Sequence, residues 1–545
     1  MRRSSFLVLI TALVGVALTP AVANARPGGP LRPVRACAEL VGNYAIPDAT
    51  THVTDTAEVR AEGQPAYCRV TGFVEPAVRF QLRLPLDNFR GRYLQYGCGG
   101  FCGTVFDPAF PDCGPEAGDF AVAATDDGHV GHGMFDGVTD ASWAADNQAA
   151  RDDFAFRAPH VLSRAAKRII AAFYGAPPLH SYFSGCSTGG REGLLLAQRY
   201  PTDFDGIVAG APASIAGPLG VYQAWLARAN TGADGAPVIT AAKLPALHDA
   251  VLAACDRTDG LVDGQIDDPR ACRFDPAAVR CAGADAADCL TPAQVEAARK
   301  IYAGPTDAHG VRLYPGWEPL GSELAWDVWI IPNPVFGAPE SAAASIGDNF
   351  LRYLGFPIGA PASSLATFGF TLGEFFRLTP EGIKANAMNP DLSAFHRAGG
   401  KLILWHGWAD QAIPPVGTID YYARVVDAND GAARTRQFAR LFLVPSLYHC
   451  SGGDRITEFD PVRALVGWVE HGAAPDRLVA TGRDAANNVV RTRPVFPYPL
   501  VARYDGSGSV DDASNFQPAR VAAPAPDKVR WAGEFLNRIP GPVAR

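Results

Sequence analysis

The chain has 545 residues, a formal net charge of -8, 48% hydrophobic residues and 19% charged residues. This composition is typical of a folded globular protein and excludes an intrinsically disordered one. The negative charge argues against a nucleic-acid partner, whose backbone has the same sign. The length exceeds what one simple core needs, so we expect a large domain with a second module.

The first 25 residues are typical of a secretory signal peptide. Arg2 and Arg3 form a positive start, residues 6–18 are apolar, and the small residues that end at Ala25 suit cleavage after it. The alternative is an uncleaved membrane anchor, but the apolar stretch is shorter than the ~20 residues that a membrane span needs, and no longer apolar stretch follows. We therefore expect residues 1–25 to be removed and the mature protein to be secreted, with no membrane span.

Export decides how the 11 cysteines are interpreted. In an oxidising compartment cysteines pair as disulfides rather than persist as thiols. Because the count is odd, at least one cysteine is unpaired or bonded to another molecule.

Six short apolar runs, each bounded by polar or glycine residues, predict buried strands of a mainly parallel sheet. They begin at Arg92, Asp119, His180, Phe204, Lys401 and Arg440. Helix-like segments lie between several of these runs, from Asp152 and from Gly189. The alternation of strand and helix indicates an α/β fold.

The region from 215 to 390 has a different character. It contains four cysteines, a cluster of aspartate and glycine, and many aromatic residues, with little alternation of strand and helix. We interpret it as an insertion that divides the α/β domain into residues 26–214 and 391–545, the second part including a C-terminal tail.

The sequence Gly185-Cys186-Ser187-Thr188-Gly189 is a G-x-S-x-G motif. Such a serine lies on a sharp turn from a strand into a helix, where only very small residues fit two positions to either side. An apolar run precedes Ser187 and a helix-like run follows it, so we predict that Ser187 is a nucleophile. A plain loop rich in glycine and serine is the alternative.

A serine nucleophile needs a base, and the base needs an acid that orients it. In proteins with this motif both follow the serine along the chain, the acid first. Asp410 and His449 each follow a predicted strand, at the sheet edge where ligand sites form. We therefore predict Asp410 as the acid and His449 as the base. Asp420 and His406 are the rival acid and base, although we expect His406 to line the site or to form a hydrogen bond there.

The predicted nucleophile, Ser187, and the predicted base, His449, each have a cysteine as a direct neighbour in the chain. Cys186 precedes the nucleophile and Cys450 follows the base, so a disulfide between them would tie the two loops together. Such a bond removes several kcal/mol of entropy from the unfolded chain, and it protects an alignment whose loss by ~1 Å costs on the order of a hundredfold in rate. The alternative is two unrelated buried thiols.

Acyl transfer also needs two backbone N–H groups that face the developing oxyanion. One is expected from Thr188, the residue after the nucleophile. The other is expected from the glycine-rich sequence 97–103, which follows a predicted strand. Gly99 and Gly100 are the candidates there, and an ordinary glycine turn is the alternative.

The insertion contains three aspartates within eight residues: Asp256, Asp259 and Asp263. Oxygen ligands at this density suit Ca²⁺, with backbone carbonyls completing its coordination. A bond between Cys255 and Cys272 would close the loop around the ion. A solvated acidic turn is the alternative, and zinc is not expected because no suitable cysteine and histidine quartet occurs.

With these residues the chain resembles the tannase and feruloyl esterase family, whose signature is a CS-D-HC arrangement. Here the signature residues are Cys186-Ser187, Asp410 and His449-Cys450. The resemblance implies an α/β-hydrolase core with a large inserted lid domain, hydrolysis of carboxylic esters through an acyl-enzyme, and a structural calcium ion in the lid. The family's acyl groups are gallate, ferulate and related phenolic acids, and some relatives cleave half-esters of terephthalate.

The resemblance also implies roles for particular residues. The expected calcium ligands are the carboxylates of Asp256, Asp259 and Asp263 and the carbonyls of Leu261 and Gln265. The expected structural disulfides are Cys37–Cys68, Cys255–Cys272 and Cys281–Cys289.

Two features depart from the family pattern. Cys98, Cys102 and Cys113 form an odd set near the predicted oxyanion residues, and we expect a Cys102–Cys113 bond with Cys98 unpaired. A bridge that relatives often carry near the C-terminus is absent, because no cysteine follows Cys450.

We therefore expect a secreted serine esterase whose partner is a small aromatic ester, either free or attached to a plant polymer. The lid aromatics could stack on its acyl group, although more of them should belong to the lid core. They include Trp317, Trp326, Trp329, Phe368, Phe370, Phe375 and Phe376. The alternatives are a terephthalate half-ester hydrolase, another carboxylesterase or lipase on the same core, and a non-catalytic extracellular binding protein.

Overall fold

The computed structural model describes residues 29–113, 118–133, 137–333, 340–521 and 525–538. The predicted signal peptide, residues 1–25, lies outside these ranges.

Ten strands form the central sheet. They are β1 (Gly42–Tyr44), β2 (Thr51–Val59), β3 (Tyr67–Val74), β4 (Val78–Pro85), β5 (Arg92–Tyr96), β6 (Phe120–Thr125), β7 (His180–Cys186), β8 (Gly206–Gly210), β9 (Lys401–Gly407) and β10 (Ala439–Val444). Their order across the sheet is β1-β2-β3-β4-β6-β5-β7-β8-β9-β10. Strands β5 to β10 pair in parallel, whereas β1 to β4 form an antiparallel meander whose last strand pairs antiparallel with β6.

The parallel strands are the six that the sequence predicts. Every residue of β6, β8 and β10 is buried, which explains their continuous apolar runs, because helices cover both faces of a parallel sheet. The meander is more exposed, and its strands lack such runs.

Helices connect the strands and fill the insertion. They are α1 (Gln148–Asp152), α2 (Ala158–Tyr174), α3 (Thr188–Arg199), α4 (Ala216–Ala229), α5 (Leu244–Cys255), α6 (Pro292–Ala303), α7 (Trp326–Trp329), α8 (Ala342–Asn349), α9 (Leu372–Arg377), α10 (Thr379–Lys384), α11 (Ser393–Arg397), α12 (Pro415–Ala428), α13 (Ala432–Thr435) and α14 (Val462–His471). Within the ranges given above, none of these helices has both the length and the apolar character needed to cross a membrane.

Separate apolar cores lie on the two faces of the sheet. Successive side chains of a strand point to opposite faces, and in β7 Phe183 joins a core with Ile169 of α2 and Leu195 of α3. Its neighbour Tyr182 joins the opposite core with Leu465 of α14. The helices therefore pack on both faces of the parallel strands, which is the arrangement of an α/β-hydrolase core.

The insertion lies between β8 and β9 and contains α4 to α11. It has its own core, in which Trp326, Phe368 and Phe375 are buried. These three predicted lid aromatics therefore stabilise the insertion itself. After α14 the chain forms two small antiparallel pairs, β11 (Leu478–Arg483) with β12 (Val489–Val495) and β13 (Leu500–Tyr504) with β14 (Phe516–Arg520).

Four of the expected disulfides are present. They are Cys37–Cys68, Cys186–Cys450, Cys255–Cys272 and Cys281–Cys289. The expected Cys102–Cys113 bond is wrong, because Cys102 is bonded to Cys98 and Cys113 is free. Cys98 and Cys102 belong to the core of the insertion side, whereas Cys113 packs with Tyr96 and Phe110 in a different core.

Candidate active site

Ser187 lies on a strained turn between β7 and α3. Its backbone has φ 62° and ψ -121°. Residues other than glycine rarely adopt this backbone conformation, and it persists only where the surrounding structure imposes it. A Cβ on Gly185 would lie 2.5 Å from the backbone of Gly189, so the two motif glycines are needed for their close approach. The Ser187 N–H donates to the Gly210 carbonyl at 3.0 Å, which anchors the turn to β8.

Asp410 follows β9 and is completely buried. One carboxylate oxygen accepts the N–H groups of Ala412 and Ile413, each at 2.8 Å. The other lies 2.8 Å from Nδ1 of His449. Because an ionised carboxylate only accepts hydrogen bonds, His449 Nδ1 carries the hydrogen and Nε2 has the free lone pair.

Burial alone would raise the pKa of Asp410, but the charge of His449 and the hydrogen bonds from His406 and His449 outweigh it. The pKa of this carboxyl is therefore held below its usual range. A carboxylate that stays ionised can stabilise a protonated imidazole beside it.

Neither rival residue takes the place of Asp410 or His449. The Nε2 atom of His406 is 2.7 Å from the Ile413 carbonyl and 3.2 Å from Asp410. Its Nδ1 atom is 2.8 Å from the Thr418 hydroxyl, so the buried His406 supports the carboxylate and has both nitrogens occupied. Asp420 instead pairs with Arg424 of its own helix at 2.9 Å.

The Cys186–Cys450 disulfide joins the serine turn to the histidine loop, with 5.9 Å between the two Cα atoms. The backbone N–H of His449 also donates to the side-chain oxygen of Gln411 at 3.1 Å. The two loops that carry Ser187 and His449 are therefore linked covalently at the residues next to them.

Ser187 and His449 line one cavity of about 490 Å³. Thr188, Gly99 and Gly100 line it as well, so the structure brings all the predicted oxyanion residues beside the serine. The Thr188 hydroxyl donates to the Gly100 carbonyl at 2.6 Å. This bond links the first turn of α3 to the glycine-rich loop Gly97–Gly103, called the oxyanion loop below.

Most of the cavity wall is apolar. Trp329 is the member of the seven predicted lid aromatics that reaches it, and its ring centroid lies 5.6 Å from that of His449. The other aromatic and aliphatic wall residues come from distant segments and could not be identified from the sequence. They include Phe101, Phe106, Phe154, Leu219, Ile346 and Phe350.

Arg191 is the one arginine or lysine among the described residues of the wall. It lies on α3 and is 1% exposed. Its guanidinium donates to the carbonyls of Phe154 and Ala155, both at 2.8 Å, and lies over the Phe154 ring. Its charge is therefore committed to the protein backbone rather than offered to a ligand.

The acidic loop of the insertion places several carboxylates close together. Burial, together with the charges of Asp267, Asp263 and Asp256, raises the pKa of Asp259 to about 7. Asp267 was not identified from the sequence. Such mutual repulsion is relieved by a bound cation.

Two observations bear on a cation in this loop. The Gln265 side-chain oxygen is buried and has no hydrogen-bond partner among the described residues. The carboxylate of Asp263, however, pairs with Arg491 at 3.3 Å and with Arg493. The raised pKa of Asp259 and the unsatisfied Gln265 oxygen are features that a hard cation would relieve, whereas the two arginines already neutralise Asp263.

Comparisons with known proteins agree on one family. A family model described as "Tannase and feruloyl esterase" matches residues 60–519. The chain is 34% identical over 556 residues to an uncharacterized esterase of Xanthomonas campestris pv. campestris, with 93% of both chains covered. It is 35% identical over 570 residues to the mono(2-hydroxyethyl) terephthalate hydrolase of Piscinibacter sakaiensis, covering 89% of this chain and 92% of that one. The crystal structure of feruloyl esterase B from Aspergillus oryzae superposes with a TM-score of 0.73 at 28% identity, covering 87% of this chain and 98% of that one.

Proposed function

Because the chain belongs to the tannase and feruloyl esterase family and is a carboxylic ester hydrolase, we propose that it works through Ser187 as nucleophile. His449 is the base and Asp410 the acid that orients it. The observation that carries this proposal is the hydrogen bond between buried Asp410 and His449, because His449 lines the same cavity as the strained serine turn.

The reaction proceeds in two acyl-transfer steps. His449 Nε2 takes the hydroxyl proton of Ser187 as the serine oxygen attacks the ester carbonyl carbon. The imidazolium then gives that proton to the alcohol oxygen of the ester. The alcohol departs, and the acyl group remains bonded to Ser187. Water attacks this ester with the same base, and the carboxylic acid is released. Asp410 holds the imidazole orientation and stabilises its positive form in both steps.

The negative charge that develops on the carbonyl oxygen is received by two backbone N–H groups. One belongs to Thr188, and the other belongs to Gly99 or Gly100 of the oxyanion loop. Donors held in place before the reaction act strongly in a cavity with few polar groups, which fits the apolar wall described above.

The substrate that we assign is an ester of an aromatic acid, with phenolic acids such as gallate and ferulate as the class. An apolar cavity beside Trp329 suits a flat aromatic acyl group. The alternative is a terephthalate half-ester, the substrate in the name of the relative from Piscinibacter sakaiensis. Its free carboxylate would need a partner, and the guanidinium of Arg191 is already hydrogen-bonded. The wall therefore favours an acyl group without a second charge.

A substrate panel tests this function. Methyl ferulate, methyl gallate and the terephthalate half-ester are offered to the wild type and to Ser187→Ala, and the released acid is quantified. We expect the wild type to release ferulate or gallate faster than terephthalate, and we expect Ser187→Ala to be inactive although folded by circular dichroism. Hydrolysis by folded Ser187→Ala would contradict the serine mechanism, and faster release of terephthalate would contradict the substrate class.

We further propose that the acidic loop binds a structural Ca²⁺ through Asp256, Asp259 and Asp263 and the carbonyls of Leu261 and Gln265. A ligand that binds only the folded state stabilises it. Chelation should therefore lower the Tm and added Ca²⁺ should restore it, whereas Asp259→Asn should lose this response. An equal Tm before and after verified removal of calcium would favour the acidic-turn alternative.

We also propose that the enzyme is secreted after cleavage behind Ala25 and meets its esters outside the cell, free or attached to plant polymers. The signal-like N-terminus and the five disulfides support this location. N-terminal sequencing of protein from the culture medium should begin at Arg26. A retained N-terminus in cell-associated protein would contradict it.

A further inference from the structure

Two carboxyl groups and a disulfide lie together directly behind the oxyanion loop, and the ester chemistry proposed above does not use them. One ligand atom each from Cys98, Cys102, Asp127 and Glu192 lies within 4.8 Å of all the others, and all four residues are buried. The two sulfur atoms are bonded to each other, so they do not offer the thiolates that a metal site of this composition needs. The cluster therefore calls for another role.

The disulfide closes a ring around the glycines of the oxyanion loop. Cys98 and Cys102 flank Gly99 and Gly100, with 5.4 Å between the two cysteine Cα atoms. The Cys102 N–H donates to the Gly99 carbonyl at 2.9 Å across the same ring. The conformation of the two cavity-lining glycines is thus set from both ends.

The carboxyl groups contact this ring from behind. An oxygen of Glu192 lies 2.9 Å from Cys98 Sγ, and an oxygen of Asp127 lies 3.4 Å from Cys102 Sγ. A Cβ on Gly97 would lie 2.7 Å from the other oxygen of Glu192. The backbone of the oxyanion loop therefore rests directly on the Glu192 side chain.

The same cluster is attached to the helix that follows the nucleophile. Glu192 lies on α3, and the Gly189 N–H at the start of that helix donates to the Cys98 carbonyl at 2.8 Å. Asp127 follows β6 and has φ 60°, a left-handed conformation that aims its side chain at the cluster at some cost in strain. The oxyanion loop is held between α3 and the end of β6.

The charges of the cluster balance if the two carboxyl groups hold one proton between them. Burial raises the pKa of Asp127, and the charge of Glu192 adds to this effect. Burial also raises the pKa of Glu192, although the charge of the neighbouring Arg191 opposes it. Like charges at this distance cannot both persist without water. One remaining negative charge then compensates the buried positive charge of Arg191. Asp126, the other acid that faces Asp127, is paired with Arg79.

We propose that Asp127 and Glu192 share one proton and, together with the disulfide they contact, position the backbone N–H groups of the oxyanion loop. They are positioning residues, since they act on the reacting oxygen only through that loop. This inference deepens the proposed function and rests on its serine mechanism.

Removing one side chain tests the positioning. In Glu192→Ala the oxyanion loop loses its support, so kcat for 4-nitrophenyl acetate should fall about ten- to hundredfold while KM stays within about twofold. Glu192→Gln keeps the volume and the hydrogen bonding and should recover most of that loss. Glu470→Ala is the matched control, because the Glu470 side chain is only 11% exposed and pairs with Arg92 at the start of β5. It should lower the Tm and leave kcat unchanged.

A double-mutant cycle tests the shared proton with volume-conserving variants. Asp127→Asn and Glu192→Gln each leave one carboxylate to balance Arg191, so each single variant should retain most of kcat and of the Tm. The double variant leaves that arginine as an uncompensated buried charge. Its loss in kcat should exceed the product of the two single losses at least tenfold, with a Tm below the additive value.

The disulfide is tested in parallel. Cys98→Ala/Cys102→Ala should lower kcat with little change in KM, whereas Cys37→Ala/Cys68→Ala, at a bond far along the sheet, should lower only the Tm. A wild-type kcat in folded Glu192→Ala would overturn the positioning role, and strictly multiplicative losses in the cycle would overturn the shared proton. Failure of the serine mechanism is recognised separately, by persistent hydrolysis in Ser187→Ala.

Discussion

Removal of the disulfide between Cys186 and Cys450 should cost both stability and rate. The double replacement by alanine removes the bond and leaves no reactive thiol. The bond closes a loop of 264 positions, for which the chain-entropy relation gives ~5.6 kcal/mol. Two shorter disulfides already constrain the same segment, so we expect a loss of ~2–5 kcal/mol in the free energy of unfolding.

The effect on rate follows from the neighbours of the two cysteines. Cys186 is the last residue of β7 and precedes Ser187, and Cys450 follows His449. Without the bond the two loops separate more easily. The two cysteines also line the cavity, but Trp329, the side chain proposed to contact the acyl group, is not replaced. We therefore expect kcat to fall ~10- to 100-fold with a nearly constant KM.

Urea unfolding followed by circular dichroism measures the stability, and kcat is measured at a temperature at which both proteins are folded. The matched control is Cys281→Ala/Cys289→Ala, whose bond lies in the insertion and spans 8 positions. It should lose some stability and keep its kcat. If the Cys186→Ala/Cys450→Ala protein is folded and turns over like the wild type, the disulfide has no part in aligning the serine and the histidine.

Three further predictions concern the acid, its ionisation and the acyl pocket. Asp410→Asn should lower kcat by ~10⁴-fold, because the amide favours the wrong imidazole tautomer. The rate of acid release measures this loss. A loss below tenfold would contradict the role of Asp410 in orienting His449. The pKa of Asp410 is lowered on folding, so its stabilising contribution is fully present above an unfolded pKa of ~3.9 and is lost as pH falls through the folded value. The Tm of the wild type should thus fall more steeply below about pH 4 than that of Asp410→Asn, and parallel curves would refute this. Trp329→Ala should raise KM for methyl ferulate about tenfold, because a large aromatic contact is lost, and should have little effect on KM for 4-nitrophenyl acetate; equal effects on both esters would argue against acyl stacking.

The sequence is informative where chemistry depends on residues that are adjacent in the chain. Ser187 and its flanking glycines reveal the turn because the strained backbone can be made only from that local pattern. The buried parallel strands are recognisable because both of their faces are apolar. The strands β1 to β4 are not predicted from the sequence, because the polar residues on their exposed faces interrupt the apolar runs.

Features made by distant segments could not be predicted. Phe350 and Phe154 meet at the cavity wall only after the insertion packs on the core, and no periodicity links them. Asp127 and Glu192 become neighbours because β6 ends and α3 begins at the same side of the sheet. The pairing of Cys98 with Cys102 depends on a glycine turn whose direction local propensities do not determine.

Covalent labelling tests the central claim most directly. Treatment with diisopropyl fluorophosphate, followed by intact mass and peptide mapping, should give one adduct, on Ser187, in proportion to the ester hydrolysis lost, and His449→Ala should slow its formation by at least a hundredfold. An unmodified Ser187 in fully inactivated protein, or a modified Ser187 in protein that still hydrolyses esters, would contradict the account.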